Sequence, residues 1–323
     1  MTSGGLWFTQ DGEPAGVLEV VDPDAGGPAE HRPGAVVVAV ARHGSAGDVP
    51  AGVDVLLTSR PTGRPAEVTV PDVDAALEAI RETVARAPRA AAALAALLRQ
   101  TERLPVPDGL AAESAVYSML LAGPEFAAWR ASRPVRPVPP PVEPAVLIDR
   151  AADTLIVSLN RPERRNAFGV AVRDGLLDAL DLALLDGSIA NVELRGRGAA
   201  FCSGGDLDEF GSAPDASTAH LIRLDRSAGL RVHRGRDRIT AFVHGACIGA
   251  GVEVPSFAGR VVAAQDAFFQ LPELAMGLVP GAGGTVSLTH RIGRHRTAYL
   301  ALTGARLGLP DALAWGLVDA ADG

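Results

Sequence analysis

Two apolar runs, Ala35-Val36-Val37-Val38-Ala39-Val40 and Val53-Asp54-Val55-Leu56-Leu57-Thr58, are bounded by Gly and Pro and predict strands within the first 65 or so residues. Over 74–99 the pattern changes to apolar positions at helical spacing among Ala, Leu and Arg, and a second helical stretch is predicted over about 109–129. Residues 133–144 hold too many prolines for a helix or a central strand and predict an extended linker. Beyond it, strands alternate with helices. Strands are predicted over 154–159, 192–196, 239–244 and 261–264, with a helix over about 170–185 and a glycine-rich turn opening another after 244. Strand, crossover and strand at this spacing imply a parallel sheet covered by helices.

The chain is therefore read as α/β, with four parts. Residues 1–67 form a small α/β extension and 68–132 a helical region. Residues 133–144 are the Pro-rich linker, and 145–323 the strand-and-helix core.

Composition narrows the function. With 323 residues and 47% hydrophobic content the chain can bury a full core. A net charge of -8 speaks against a nucleic-acid partner, although a local Arg cluster still suffices to hold an anionic ligand. All 30 basic residues are Arg, so Schiff-base chemistry on a lysine is excluded. Cys202 and Cys247 sit in apolar surroundings with no paired framework, as expected in a reducing cytosol. No leader opens the sequence and no apolar run approaches the roughly 18 residues of a membrane span, so a cytoplasmic protein without a membrane partner is expected. His290 and His295 lack the spacing of a helical metal pair, and no metal site is expected.

The candidate chemistry lies in two segments, 245–253 (GACIGAGVE) and 271–285 (LPELAMGLVPGAGGT), carrying Glu253 and Glu273. Two carboxylates on rigid neighbouring elements, beside a glycine-rich loop that opens a helix, suit the movement of a proton and water across an activated double bond. Most glutamates are solvated, but Val252, Phe268, Phe269, Leu271 and Leu274 surround these two with apolar bulk. Burial of that kind raises a carboxyl pKa and suits a proton donor near neutral pH.

From the linker onward the order of motifs resembles the crotonase (enoyl-CoA hydratase/isomerase) superfamily. The segment 159–168 (LNRPERRNAF) is similar to the family's first strand and CoA-binding turn, and 201–207 (FCSGGDL) to its first oxyanion loop. The two Glu-bearing segments resemble its second oxyanion loop and second catalytic segment, and 303–306 with 315–319 its late signature. The resemblance implies a ββα spiral core over 145–323. It also implies backbone oxyanion donors at Gly205 and Ala250, Glu253 activating water, and Glu273 protonating the α carbon. CoA or substrate is then held around Arg164, Arg165, Ala167, Ser203, Asp206 and Leu207, with Arg164 or Arg165 taking the phosphate. Coenzyme A arrives as part of an acyl-CoA substrate, no separate cofactor is expected, and a homotrimer or dimer of trimers is implied.

Residues 68–77 and 113–130 are in turn similar to the strand and terminal helices that the family carries after its late signature, here only four residues from Gly323. A circular permutation is the reading that follows. Hydration of a 2-enoyl-CoA is the expected activity. An isomerase needing Glu273 alone, or another crotonase-fold lyase or hydrolase, stays open, as does a catalytically silent acyl-CoA-binding subunit.

Overall fold

A computed structural model describes residues 9, 12–23, 34–41, 49, 51–61, 66–134, 136–137 and 143–322. Most of the Pro-rich segment expected to be a linker, and Gly323, lie outside the described residues. The N-terminal part holds four parallel strands in sequential order: β1 (Leu18–Val21), β2 (Val36–Ala41), β3 (Val55–Thr58) and β4 (Glu67–Thr69). The boundary drawn at 67/68 falls inside β4.

Four helices follow: α1 (Val73–Arg86), α2 (Pro88–Thr101), α3 (Val106–Leu121) and α4 (Pro124–Ala131). The Asp72 side chain caps α1 by accepting from the Ala75 amide, and Val73, Leu77, Ile80 and Val84 bury one face at helical spacing. The single helical stretch expected over 74–99 is two helices. Pro88 has no amide to continue the ladder and forces Ala87 out of the helical region (φ -136°). Pro124 divides the second stretch in the same way.

The core comprises β5 (Val146–Ala151), β6 (Thr154–Leu159), α5 (Val170–Leu185), β7 (Asn191–Gly196), α6 (Ala216–Asp225) and α7 (Ala228–Arg234). Then come β8 (Ile239–Val243), β9 (Ala246–Ile248), α8 (Ala250–Glu253), β10 (Arg260–Ala263) and β11 (Phe268–Gln270). It closes with α9 (Gly284–Ile292), α10 (Arg294–Thr303), β12 (Leu307–Gly308), α11 (Leu309–Trp315) and β13 (Ala320–Ala321). One sheet has the order β13-β10-β8-β7-β6-β5, parallel except for the β5–β6 hairpin, and a smaller one the order β12-β11-β9. Successive turns of chain place one strand in each sheet before a helix. β8 continues into β9, β10 into β11, and β7 into 200–202, which bridges to Gly245 and Cys247 beside β9.

The N-terminal part is not a separate lobe. Val36, Val38, Val55, Leu57 and Val68 share one apolar core with α1, α2 and the spiral. On α10, Arg294 donates to the Val53 carbonyl (2.8 Å), while Arg99 of α2 bonds the buried Asp54 carboxylate (2.6 Å). Among the described residues no helix is long and apolar enough to cross a membrane.

Candidate active site

Between the spiral core and the face made by α3 and α6 lies a cavity of about 810 Å³, lined by Gly205, Ala250, Glu253 and Glu273 together with Glu113 and Tyr117 of α3. Both sequence-predicted acids and both predicted amide donors therefore meet in one space.

Local backbone explains the convergence. Gly249, between β9 and α8, adopts φ 50° and ψ -121°, a conformation that L side chains rarely adopt. A Cβ placed there would stand 2.5 Å from Glu273 Oε1 and 3.7 Å from Glu253 Oε1, so both carboxyls converge on one point that only glycine leaves open. Helix α8 is a single turn, and Pro255 opens a 3-10 turn after it, consistent with its place at a helix start. Ser287 Oγ anchors the Glu253 carbonyl (2.8 Å).

The first loop is held by Asn166, whose side chain is fully buried. Its amide donates to the carbonyls of Arg197, Ala200 and Phe201, and its oxygen accepts from the Arg161 amide. Phe168 bridges to this loop by donating to the Gly204 carbonyl and accepting from the Asp206 amide. That pattern skips the Gly205 amide. Neither it nor the Ala250 amide, at the start of α8, has an acceptor within the described protein.

The two acids differ in partners. Glu253 Oε2 accepts from the Ala282 and Gly284 amides, both at 2.8 Å, leaving Oε1 free. Glu273 Oε2 is buried without any partner. Burial raises Glu253 to about 7 against the pull of its two amides. Burial, and then the charge of Glu253, holds Glu273 well above the usual carboxylate range. Both shifts favour the protonated form over that of an ordinary carboxyl, and Glu253 is poised to ionise near neutral pH.

A third acid, which the motifs do not mark, completes the turn. Glu113 on α3 accepts from Gly283 N (2.7 Å) with one oxygen, and from Thr285 N (2.9 Å) and Thr285 Oγ1 (2.6 Å) with the other. Burial and the neighbouring Glu253 raise it to about 8. Amides 282 and 284 serve Glu253 while 283 and 285 serve Glu113, all at the positive N-terminal end of α9. Gly284 permits the approach, since a Cβ there would lie 2.6 Å from Glu253 Cγ. The available signal was a carboxylate in phase with Leu110 and Tyr117 on the buried face of an apolar helix.

The residues expected around CoA are placed less uniformly. Asp206 lines the cavity, whereas Arg164, Arg165, Ala167, Ser203 and Leu207 are not among its lining residues. Arg164 is engaged by Asp206 through two bonds (2.7 and 3.0 Å) and by Asp208 (3.2 Å), and Arg165 is exposed. The Leu207 carbonyl accepts from Arg130 of α4, tying the first loop to the helical region.

The family model described as enoyl-CoA hydratase/isomerase matches residues 149–323. Over 173 residues the chain is 33% identical to 2,3-dehydroadipyl-CoA hydratase of Escherichia coli K12, covering 54% of this chain and 67% of that one. It is 32% identical over 189 residues to mevalonyl-coenzyme A hydratase SIDH of Beauveria bassiana, covering 56% and 68%. The crystal structure of enoyl-CoA hydratase from Thermoplasma volcanium matches with a TM-score of 0.52 at 30% identity, over 56% of this chain and 72% of that one. Two converging acids and two free amides, in a spiral core matched by this family model, place the chain in the enoyl-CoA hydratase/isomerase family.

Proposed function

We propose that the protein hydrates a 2-enoyl-CoA thioester, or dehydrates the product in reverse. The observation that carries this reading is the meeting of the Glu253 and Glu273 carboxyls at Gly249, in the cavity that Gly205 and Ala250 also line. The two free amides receive the thioester oxygen as the enolate forms, each lowering the barrier by about 3 kcal/mol. Glu253 Oε1 takes a proton from water as it attacks the β carbon. Glu273 delivers its proton to the α carbon. Two acids converging on one point fit addition of water better than a one-acid isomerisation.

The assay is the conjugated enoyl-thioester absorbance. Its loss with short and medium 2-enoyl-CoAs supports hydration, its gain from a 3-enoyl-CoA assigns an isomerase instead, and binding without turnover across the panel assigns a silent acyl-CoA-binding subunit.

We further read α1–α4 as the closing helices of a circularly permuted chain. Supporting this, Leu120 and Phe126 are buried, and α3 supplies cavity residues and the carboxylate that braces 283–285. The strand half of the resemblance fares differently. Val68 pairs with Leu57 in the four-stranded sheet, and Ala320–Ala321 hold the edge of the six-stranded sheet just after Asp319. A trimeric or hexameric assembly and a cytoplasmic location complete the reading, the first from the family resemblance and the second from two free, buried cysteines.

A further inference from the structure

Three arginines line the cavity, and they differ in their partners. Arg173 and Arg226 both approach Asp174, at 2.9 and 3.6 Å, and Arg226 also has Asp225 at 3.3 Å. Arg223, in the last turn of α6, forms no ion pair among the described residues. Its Cζ lies 4.4 Å from the centroid of the Tyr117 ring, and Nη2 donates to Ser118 Oγ at 2.5 Å, so two residues of α3 hold the guanidinium in place. Nε is buried with no partner, and Nη1 has no acceptor within the described protein. Glu113 attracts the guanidinium from a distance but spends both its oxygens on residues 283 and 285. A planar fork of donors, oriented and partly desolvated with no carboxylate in contact, is built to receive an anion.

The depth of the group says which anion. Tyr117 packs on its other contact against Gly281, one residue before the Ala282 amide that holds Glu253. The Tyr117 ring thus touches both Arg223 and the turn that holds Glu253. The phosphates of CoA are separated from the thioester by the whole pantetheine arm, whereas a carboxylate at the end of a short acyl chain reaches that far. Leu110, Leu121 and Ile222 also line the cavity and suit the methylenes between.

We propose that Arg223 binds a carboxylate at the far end of the acyl chain, so that the site selects ω-carboxylated acyl-CoA thioesters over their neutral counterparts. This rests on the acyl-CoA reading above.

The test is binding, measured by calorimetry on the full chain with saturated esters that hydration does not consume: succinyl-, glutaryl- and adipyl-CoA against butyryl-, valeryl- and hexanoyl-CoA. At least one ω-carboxyl ester is expected to bind about tenfold or more tightly than its neutral partner, the scale of a charge-assisted hydrogen bond. Arg223→Met is expected to remove that preference and Arg223→Lys to keep part of it, which also covers a Met variant that folds poorly. Equal affinities in the native protein, or a preference that survives Arg223→Met, overturn the proposal. Equal weakening of both series and of free CoA moves the guanidinium to the CoA phosphates and overturns it as well. If neither series binds, the acyl-CoA reading itself falls, a result distinct from both series binding alike.

Discussion

Glu253 from the spiral core and Glu113 from the helical region are the same residue type, equally buried, and bound to alternate amides of one turn. What separates them is the remaining oxygen. Glu253 keeps Oε1 free beside Glu273, while both oxygens of Glu113 are occupied by three donors. In the proposed mechanism the free, desolvated lone pair of Glu253 is the base, whereas the fully bonded carboxyl of Glu113 is a brace. The core supplies the chemistry in that mechanism, while the helical region holds the core's turn through Glu113.

The most severe way to break this comparison is to remove the brace entirely. Deleting residues 1–144 removes Leu94, Leu97, Leu98, Leu110, Tyr117 and Leu120 from the shared core and uncovers side chains they pack with, such as Val286, Leu288 and Leu300, each worth about 1.5–3 kcal/mol of burial, against a typical stability of about 5–15 kcal/mol. The 145–323 fragment is expected to be insoluble or unfolded by circular dichroism. A soluble, active fragment would mean that the helical region is an appendage.

Next in size are the groups assigned to chemistry. Gly205→Pro removes an amide and should lower kcat at least a hundredfold, and Glu253→Gln and Glu273→Gln should each do the same while leaving affinity for a CoA ester largely intact. Near-native turnover of either Gln variant takes that acid out of the mechanism.

Glu113→Gln sharpens the contrast through pH. In the proposed mechanism Glu273 acts protonated, and once Glu113 ionises, at about pH 8 and above, its charge helps to hold that proton. Removing that charge lowers the Glu273 pKa, so the alkaline fall of kcat/KM is expected to move to lower pH. Stability gives a second readout. The folded pKa values of Glu253 and Glu113, about 7 and about 8, lie above the ordinary 4.5, so the native state binds more protons than the unfolded one. Stability is then full below about pH 4.5 and declines as pH rises through about 7 to 8. In Glu113→Gln that decline in melting temperature should be shallower. An unchanged pH profile and an unchanged slope together would show that Glu113 is electrostatically silent.

The smallest effect is expected at Ser203, two residues before Gly205 and off the cavity lining. Ser203→Ala should keep kcat/KM within a few-fold; a larger loss than from Gly205→Pro would make the hydroxyl the chemical group of this loop.

Sequence alone determined the elements whose periodicity or glycine pattern is local. Helix α5 and strand β6 fall on their predicted residues, and the predicted acids and glycine loops do meet in one cavity, because spacing along rigid strands fixes where their ends point. The breaks at Pro88 and Pro124 were also local, and helical spacing masked them. What only tertiary structure decided depends on contacts between residues far apart in the chain. Glu113 reaches Thr285 across 172 positions, the Asp206 and Asp208 carboxylates occupy Arg164, and Arg223 in the cavity wall forms no ion pair among the described residues. Whether a charge is a base, a brace or a binding group depends on which donors and acceptors folding brings to it, and no single stretch of sequence carries both partners.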